Sequence, residues 1–260
     1  MGEAKTIKPR IAIPVPHSGD RTYAERALPQ YEDAVCGAGG EPVRIELDQT
    51  PVEVLKQIES CDGVLLPGSR ADVDPQKYGA ERHEKTAATD PQRDAADRLL
   101  LRDAYKLHKP VLGICYGMQS LNVYRSGTLV QHIESVINHS AGRTVAKAHT
   151  VEVAPGSRLA EIVGSSQAVP VNSSHHQSAD AVGDGLRVVA RSSEDGIIEA
   201  LEGTAPRHFV LAVQWHPERS VKDAQELAQP AHAIFRAFIE AARARHAELA
   251  GELKSAGRSR

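Results

Sequence analysis

Apolar and polar stretches alternate along the chain in a way that sets out short strands separated by longer helices. Residues 11–15 (IAIPV) are the first apolar run after a polar start and read as a strand. A polar loop with Ser18-Gly19-Asp20 leads into a helix expected over 22–38, closed by Gly37 and the Gly39-Gly40 pair. A second strand is expected over 42–47 and a short helix over 51–59. A third strand over 62–66 runs into Pro67-Gly68-Ser69. A long loop carrying Asp72, Asp74, Pro75 and Tyr78 follows. Asp90 as N-cap and Pro91 at the first helical position start a helix that reaches Lys106 or beyond.

Residues 110–114 (PVLGI) form a buried strand in this reading, and a helix resumes from Gly117 with Met118, Leu121 and Val123 at helical spacing. Strands separated by helices of this length imply βαβ units and a parallel sheet. After residue 127 the texture changes. Short β-branched runs appear near 128–133, 149–153, 169–171, 186–190, 197–201 and 209–214, with a brief helical stretch near 157–163. This half should be hairpin-rich and partly antiparallel. An Ala-rich segment over 223–249, with Leu227, Ile234, Phe238 and Ile239 at helical intervals, closes the chain. The expectation is one α/β domain over 8–250 and a disordered tail over 251–260.

Composition adds little beyond this. The 260 residues are 41% hydrophobic and 25% charged, enough apolar material for a sizeable core. A net charge of −3 gives no electrostatic reason to expect nucleic acid or an anionic membrane as partner. The three cysteines (Cys36, Cys61 and Cys115) include no C-x-x-C pair, so no disulfide framework or zinc knuckle is indicated. The N-terminus has no apolar region of signal-peptide length, and no run approaches the ~18 residues that span a bilayer. A reducing, cytoplasmic setting is the default expectation.

The chemistry concentrates at Gly113-Ile114-Cys115-Tyr116-Gly117, a G-x-C-x-G stretch between a strand and a helix. It is the cysteine counterpart of the nucleophile elbow, a sharp turn whose glycines relieve crowding. The helix that follows aims its N-terminal amides at the sulfur, which favours thiolate and suggests a pKa below the ordinary value of about 8.5. About a hundred residues on, a β-type run ends in Gln214-Trp215-His216-Pro217-Glu218. On an extended chain His216 and Glu218 share a face, so the carboxylate can hold the imidazole in the tautomer that accepts a thiol proton.

G-I-C-Y-G-M-Q followed by A-V-Q-W-H-P-E resembles the class I glutamine amidotransferase superfamily. Three further segments look like its γ-glutamyl-γ-aminobutyrate hydrolase family (peptidase family C26): 65–79 (LLPGSRADVDPQKYG), 126–133 (SGTLVQHI) and 169–177 (VPVNSSHHQ). The resemblance runs from about residue 10 to 240. It implies a flavodoxin-like three-layer fold, with a mostly parallel central sheet flanked by helices and a smaller antiparallel portion in the C-terminal half. It implies Cys115, His216 and Glu218 as a catalytic triad, and backbone N–H groups of Ser69 and Tyr116 as an oxyanion hole. Gly68, Gln119, Asn172, Ser173, His175 and Gln177 would line the pocket around the γ-glutamyl group or the leaving amine. The chain departs from the family pattern in three places: Ser69 stands where a second glycine is usual, Ser126-Gly127 replaces a glycine pair, and Tyr116 follows the nucleophile where many of these hydrolases carry arginine.

The resemblance implies hydrolysis of a small γ-glutamyl amide such as γ-glutamyl-γ-aminobutyrate through a thioester, with no cofactor. The alternative is a glutaminase subunit supplying ammonia to a separate synthase. A homodimer is the default assembly. No metal site is expected: His175 and His176 are adjacent and point to opposite faces of a strand, and the other histidines look scattered.

Overall fold

The computed structural model describes residues 7–164 and 168–258. In chain order it has β1 (Arg10–Pro14), α1 (Arg21–Gly37), β2 (Glu41–Ile45), α2 (Pro51–Glu59), β3 (Gly63–Leu66), α3 (Pro91–Leu107), β4 (Val111–Ile114) and α4 (Tyr116–Tyr124). Then come β5 (Leu129–Val130), β6 (His149–Val153), α5 (Arg158–Val163), β7 (Ala168–Val171), β8 (Ser178–Ala179), β9 (Leu186–Ser192), β10 (Ile198–Gly203), β11 (Val210–Val213), α6 (Pro217–Ser220) and α7 (Gln225–Arg258). The main sheet has the order β2-β1-β3-β4-β11-β10-β9-β6-β7, and β5 pairs with β8 in a separate ribbon. From β2 to β11 every pairing is parallel; from β11 to β7 every pairing is antiparallel. The expected α/β sheet with an antiparallel C-terminal portion is therefore what the chain builds.

Residue alternation within each strand sorts the core into two layers. Ile11, Ile13, Leu65, Leu112 and Ile114 pack with Tyr31 and Val35 of α1 and with Phe235, Phe238 and Ile239 of α7. Ala12, Val64, Leu66 and Val111 face the other way, onto Ile58 of α2, Leu100 and Leu101 of α3 and Leu121 of α4. Helices thus cover both faces of the parallel half. Thr50 completes a reciprocal capping box with Glu53 at the start of α2, and Asp90 accepts from the Arg93 N–H at the start of α3.

Two stretches depart from the expected elements. The strand expected over 128–133 shrinks to the two residues of β5, and 131–148 carries no regular element. Gln131 is drawn off the ladder: its amide donates to the Glu81 carbonyl and accepts from His83 N–H and the Thr86 hydroxyl. The closing helix runs through Arg258, into the stretch expected to be a tail, as its content of Ala, Glu, Leu and Lys permits. Residues 259–260 lie outside the described residues.

Parallel strands β3, β4 and β11 are neighbours, so the turns leaving their C-terminal ends meet at one edge of the sheet. That edge is where open α/β sheets place their ligands.

Candidate active site

Cys115 sits between β4 and α4 with φ 53° and ψ −108°, one of three non-glycine residues at positive φ among those described. Such a backbone costs about 1–3 kcal/mol and persists only where its surroundings enforce it. The surroundings here are the two glycines. A Cβ on Gly117 would be driven into the Leu66 carbonyl, and one on Gly113 would lie 2.9 Å from the Gly117 carbonyl oxygen. The elbow is therefore built by local crowding, as the G-x-C-x-G spacing predicts.

His216 follows β11, and its Nδ1 donates to Glu218 Oε1 at 2.7 Å. The two do not share an extended strand end as expected. Pro217 at the first helical position starts the single-turn α6, and Glu218 stands in its first turn. Asn172 grips His216 from the far side, its amide donating to the His216 carbonyl at 2.9 Å and accepting from the His216 N–H at 3.0 Å. Because a carboxylate only accepts, the Glu218 bond puts the proton on Nδ1 and leaves Nε2 as a free lone pair.

Gly68 joins the histidine to the cysteine. A Cβ there would lie 2.9 Å from His216 Cε1 and 3.5 Å from Cys115 Cβ, so the imidazole and the cysteine both border a residue with no side chain. The Gly68 N–H donates to the buried Tyr31 hydroxyl at 3.0 Å, which ties the turn to α1. Ser69 is not at positive φ, and its hydroxyl accepts from the Ala71 N–H at 3.1 Å. Serine for the second glycine of this turn is thus free of left-handed strain; the indispensable glycine is Gly68.

Electrostatics depart from one expectation. Burial pushes the Cys115 thiol up to about 12, against the pull of Arg219 and of the Tyr116 N–H that points at the sulfur. The helix N-terminus does not win, because Cys115 is only 5% exposed and the cost of an unsolvated thiolate is larger. Burial likewise holds His216 below its ordinary value, although Glu218 pulls the other way. Burial would raise Glu218, but His216 and Arg219 keep it below the usual carboxylate range. The resting site is a thiol, a neutral imidazole and a carboxylate. Cys61 is also buried and raised, to about 11, yet it is not at positive φ.

The family described as Peptidase C26 matches residues 12–218. The chain belongs to this family. It is 32% identical over 221 residues to the γ-glutamyl-γ-aminobutyrate hydrolase PuuD of Escherichia coli K12, covering 81% of this chain and 85% of that protein. It is 42% identical over 218 residues to Rv2859c of Mycobacterium tuberculosis H37Rv, named as a candidate glutamine amidotransferase, covering 82% of this chain but only 66% of that protein. Among solved structures, the glutaminase domain of Trypanosoma brucei CTPS with bound acivicin is similar at TM-score 0.57 and 20% identity, covering 90% and 94% of the two chains. A candidate GMP synthase component from Thermoplasma acidophilum matches at TM-score 0.63 and 17% identity, covering 94% and 98%. These two likenesses concern the fold.

Within this C26 chain, several residues that the resemblance assigns to substrate have their polar atoms engaged elsewhere. Both ends of the Asn172 amide hold His216, as above. Ser173 donates to the His139 carbonyl at 2.6 Å. Gln119 donates to Gln177 O and Gln214 Oε1, and Gln177 donates to Asp72 Oδ2 and Gln131 O. His175 turns its ring toward Glu199 together with His139 and His149. The histidines are thus not all scattered; these three come from segments too far apart in sequence for any spacing to show.

Sequence reasoning also missed Arg93. It is fully buried, paired with Asp97 at 2.7 Å, and it donates to the Pro16 and Pro67 carbonyls. Its guanidinium lies 4.9 Å from the centre of the Tyr116 ring. One side chain thereby ties together the 67–69 turn and Tyr116, whose N–H points at the Cys115 sulfur. A buried arginine one turn into a helix leaves no periodic signal. Tyr116 is itself buried, with the Arg93 guanidinium over its ring.

Proposed function

We propose that this chain is a cysteine hydrolase that cleaves the γ-glutamyl amide bond of a small anionic γ-glutamyl compound, of which γ-glutamyl-γ-aminobutyrate is the type. The observation that carries the reading is the His216–Glu218 pair, locked in one tautomer and turned toward Cys115 across Gly68. Supporting it is a cationic surround. Arg219 stands beside Glu218 and acts on the Cys115 sulfur, Arg143 lies near Arg219 and Arg26, and Arg26 and Arg70 lie 5.8 and 5.2 Å from the Tyr23 ring centre. Such a surround favours a substrate with carboxylates on both the glutamyl and amine sides.

The reaction runs in two halves. His216 Nε2 takes the thiol proton as sulfur adds to the γ-carbonyl carbon, and the oxygen gains the negative charge. N–H groups of Ser69 and Tyr116 meet that oxygen; each such donor is worth about 3 kcal/mol in the transition state. The C–N bond then breaks, the imidazolium gives its proton to the departing amine, and a γ-glutamyl thioester remains. A water deprotonated by the same Nε2 attacks the thioester, and the thiol and a free carboxylate are regenerated.

The test is a panel of γ-glutamyl amides, with γ-glutamyl-γ-aminobutyrate and glutamine included, incubated with the wild type and with Cys115→Ala. Glutamate release by the wild type alone, fastest with an acidic leaving amine, is the expected result. Equal release by both proteins would refute the nucleophile. Slow cleavage of glutamine alone, quickened by a synthase partner, would replace hydrolysis with ammonia supply as the function.

A further inference from the structure

Below the reacting edge, four side chains from four separate segments converge. His139 lies in the irregular stretch 131–148, His149 opens β6, His175 lies between β7 and β8, and Glu199 is on β10. All four are buried, Glu199 completely. Their inward atoms (His139 Nδ1, His149 Nε2, His175 Nε2 and Glu199 Oε1) make no hydrogen bond of competent geometry among the described residues. One ligand atom from each lies within 4.8 Å of the other three.

The outward ring nitrogens fix the protons. His149 Nδ1 faces the Thr150 carbonyl at 3.3 Å and His175 Nδ1 faces the Gln177 carbonyl at 3.0 Å. A carbonyl only accepts, so each Nδ1 carries the hydrogen and each inward Nε2 is a bare lone pair in the neutral ring. His139 Nε2 faces the Asp195 carboxylate at 2.9 Å, and in the neutral ring the same logic leaves Nδ1 bare. Three lone pairs thus converge on a carboxylate with no donor between them. In a dry interior that arrangement is repulsive unless an added proton or a metal ion sits in it.

Distances say which cation. The three inward nitrogens lie 3.3, 3.5 and 3.5 Å from Glu199 Oε1, beyond the ordinary N–H···O range of about 2.7–3.2 Å. A regular tetrahedron with metal–ligand bonds of ~2.0–2.1 Å has edges of ~3.3–3.4 Å. Three imidazoles and a carboxylate suit zinc far better than magnesium or calcium, which take oxygen ligands. A carbonyl or carboxylate behind each imidazole is the outer support that metal-bound histidines require.

We propose that His139, His149, His175 and Glu199 bind one tetrahedral divalent cation of the zinc class. With four protein ligands the site is closed to water, so the ion is structural. It fastens 131–148 and the 172–177 segment to β10. The second of these carries Asn172, whose amide grips His216. A cavity of about 310 Å³ lined by Ile137, His139, Ser140, His175 and His176 gives the ion a way in.

The test uses the untagged full-length chain, stripped with chelator and titrated with Zn²⁺ alone by calorimetry. One equivalent per chain and a rise in melting temperature are expected, with X-ray absorption showing only nitrogen and oxygen neighbours at ~2.0 Å. Co²⁺ in its place should give the visible absorption of a tetrahedral centre. His149→Ala should lose the stoichiometric site, and Asp195→Asn, which leaves every ligand in place, should weaken it 10–100-fold. His132→Ala is the control, since His132 lies near His83 and His176 on the partly exposed face and could hold adventitious zinc. It should bind as the wild type does. Sub-stoichiometric zinc in the wild type would overturn the proposal, as would an octahedral cobalt spectrum. Loss of binding in His132→Ala with retention in His149→Ala would overturn it too. The wild-type stoichiometry and spectra decide the question even if His149→Ala fails to fold.

Discussion

Gly68→Ala adds one methyl group, and the structure says where it goes. The new Cβ would lie 2.9 Å from His216 Cε1 and 3.1 Å from the Tyr31 hydroxyl. Ordinary carbon contacts lie near 3.5–4.0 Å, so ring and methyl must part by roughly 0.6 Å or more. The imidazole has no easy retreat, because Nδ1 is bonded to Glu218 and both backbone polar atoms of His216 are bonded to Asn172. A catalytic group misplaced by about 1 Å can cost ~100-fold, so a 30–100-fold fall in kcat/KM is expected, about 2–2.7 kcal/mol. Overpacking should also destabilise the fold by ~1–3 kcal/mol. Gly203→Ala separates the two effects. Its Cβ would lie equally close, 2.9 Å, to Val210 Cβ, an apolar neighbour away from the thiol. Measured with a γ-glutamyl amide and a urea melt, Gly203→Ala should lose stability and keep its activity, and Gly68→Ala should lose both. A folded Gly68→Ala protein within threefold of wild-type activity would refute the placement of His216 against this glycine.

Other expectations follow from the same contacts. Because the Cys115 thiol is raised to about 12, its alkylation by iodoacetamide should climb about tenfold per pH unit from 7 to 9; a plateau already reached at pH 6 would mean a stable thiolate. His216 has a depressed pKa when folded, so between that value and about 6.5 the unfolded chain binds more protons and stability rises with pH. The melting temperature should therefore begin to drop below about pH 6.5, and activity only at lower pH, where the folded imidazole itself takes the proton and is blocked as a base. Arg93→Met strands Asp97 in the core and should cost 3–5 kcal/mol by urea titration, much of it recovered by Arg93→Met/Asp97→Leu, as uncompensated buried charges behave. If the single and double variants are equally unstable, the lost carbonyl contacts of Arg93 matter more than its charge. Asn172→Ala loosens His216 without touching substrate, so kcat should fall with KM little changed; a rise in KM alone would return Asn172 to the pocket wall.

What could be read from the chain alone was whatever is enforced within a few residues. The strand before Cys115, the crowding of Gly113 and Gly117, and the Pro91 and Asp90 helix start are local constraints, and each has its counterpart in the structure. The parallel order of the first half followed from element lengths. Three kinds of feature lay beyond reach. Polar side chains with several possible partners, such as Gln131 and Asn172, look identical in sequence whichever partner they take. Buried ions such as Arg93 break the rule that charge means surface. The His139, His149, His175 and Glu199 cluster draws on segments up to sixty residues apart, joined only once β6, β9 and β10 pair. The expectation of a lowered thiolate pKa failed for a different reason: it counted the helix end and not the depth of the sulfur.

That depth bears on how the chemistry starts. A thiolate–imidazolium pair formed in advance would need a thiol pKa below that of the histidine, and here the order is reversed: burial lifts the thiol to about 12 and depresses the imidazole. Proton transfer on its own is therefore uphill, and in the proposed mechanism it becomes favourable only as the charge leaves sulfur for the carbonyl oxygen that the Ser69 and Tyr116 amides would receive. Proton transfer and carbon–sulfur bond formation must then share a transition state. Single-turnover acylation should run slower in deuterium oxide than in water at matched points on the pH profile, because a proton is in flight at the barrier. An enzyme holding a ready-made thiolate has no such proton to move, and a rate unchanged or faster in deuterium oxide would show that the sulfur is ionised before the substrate arrives.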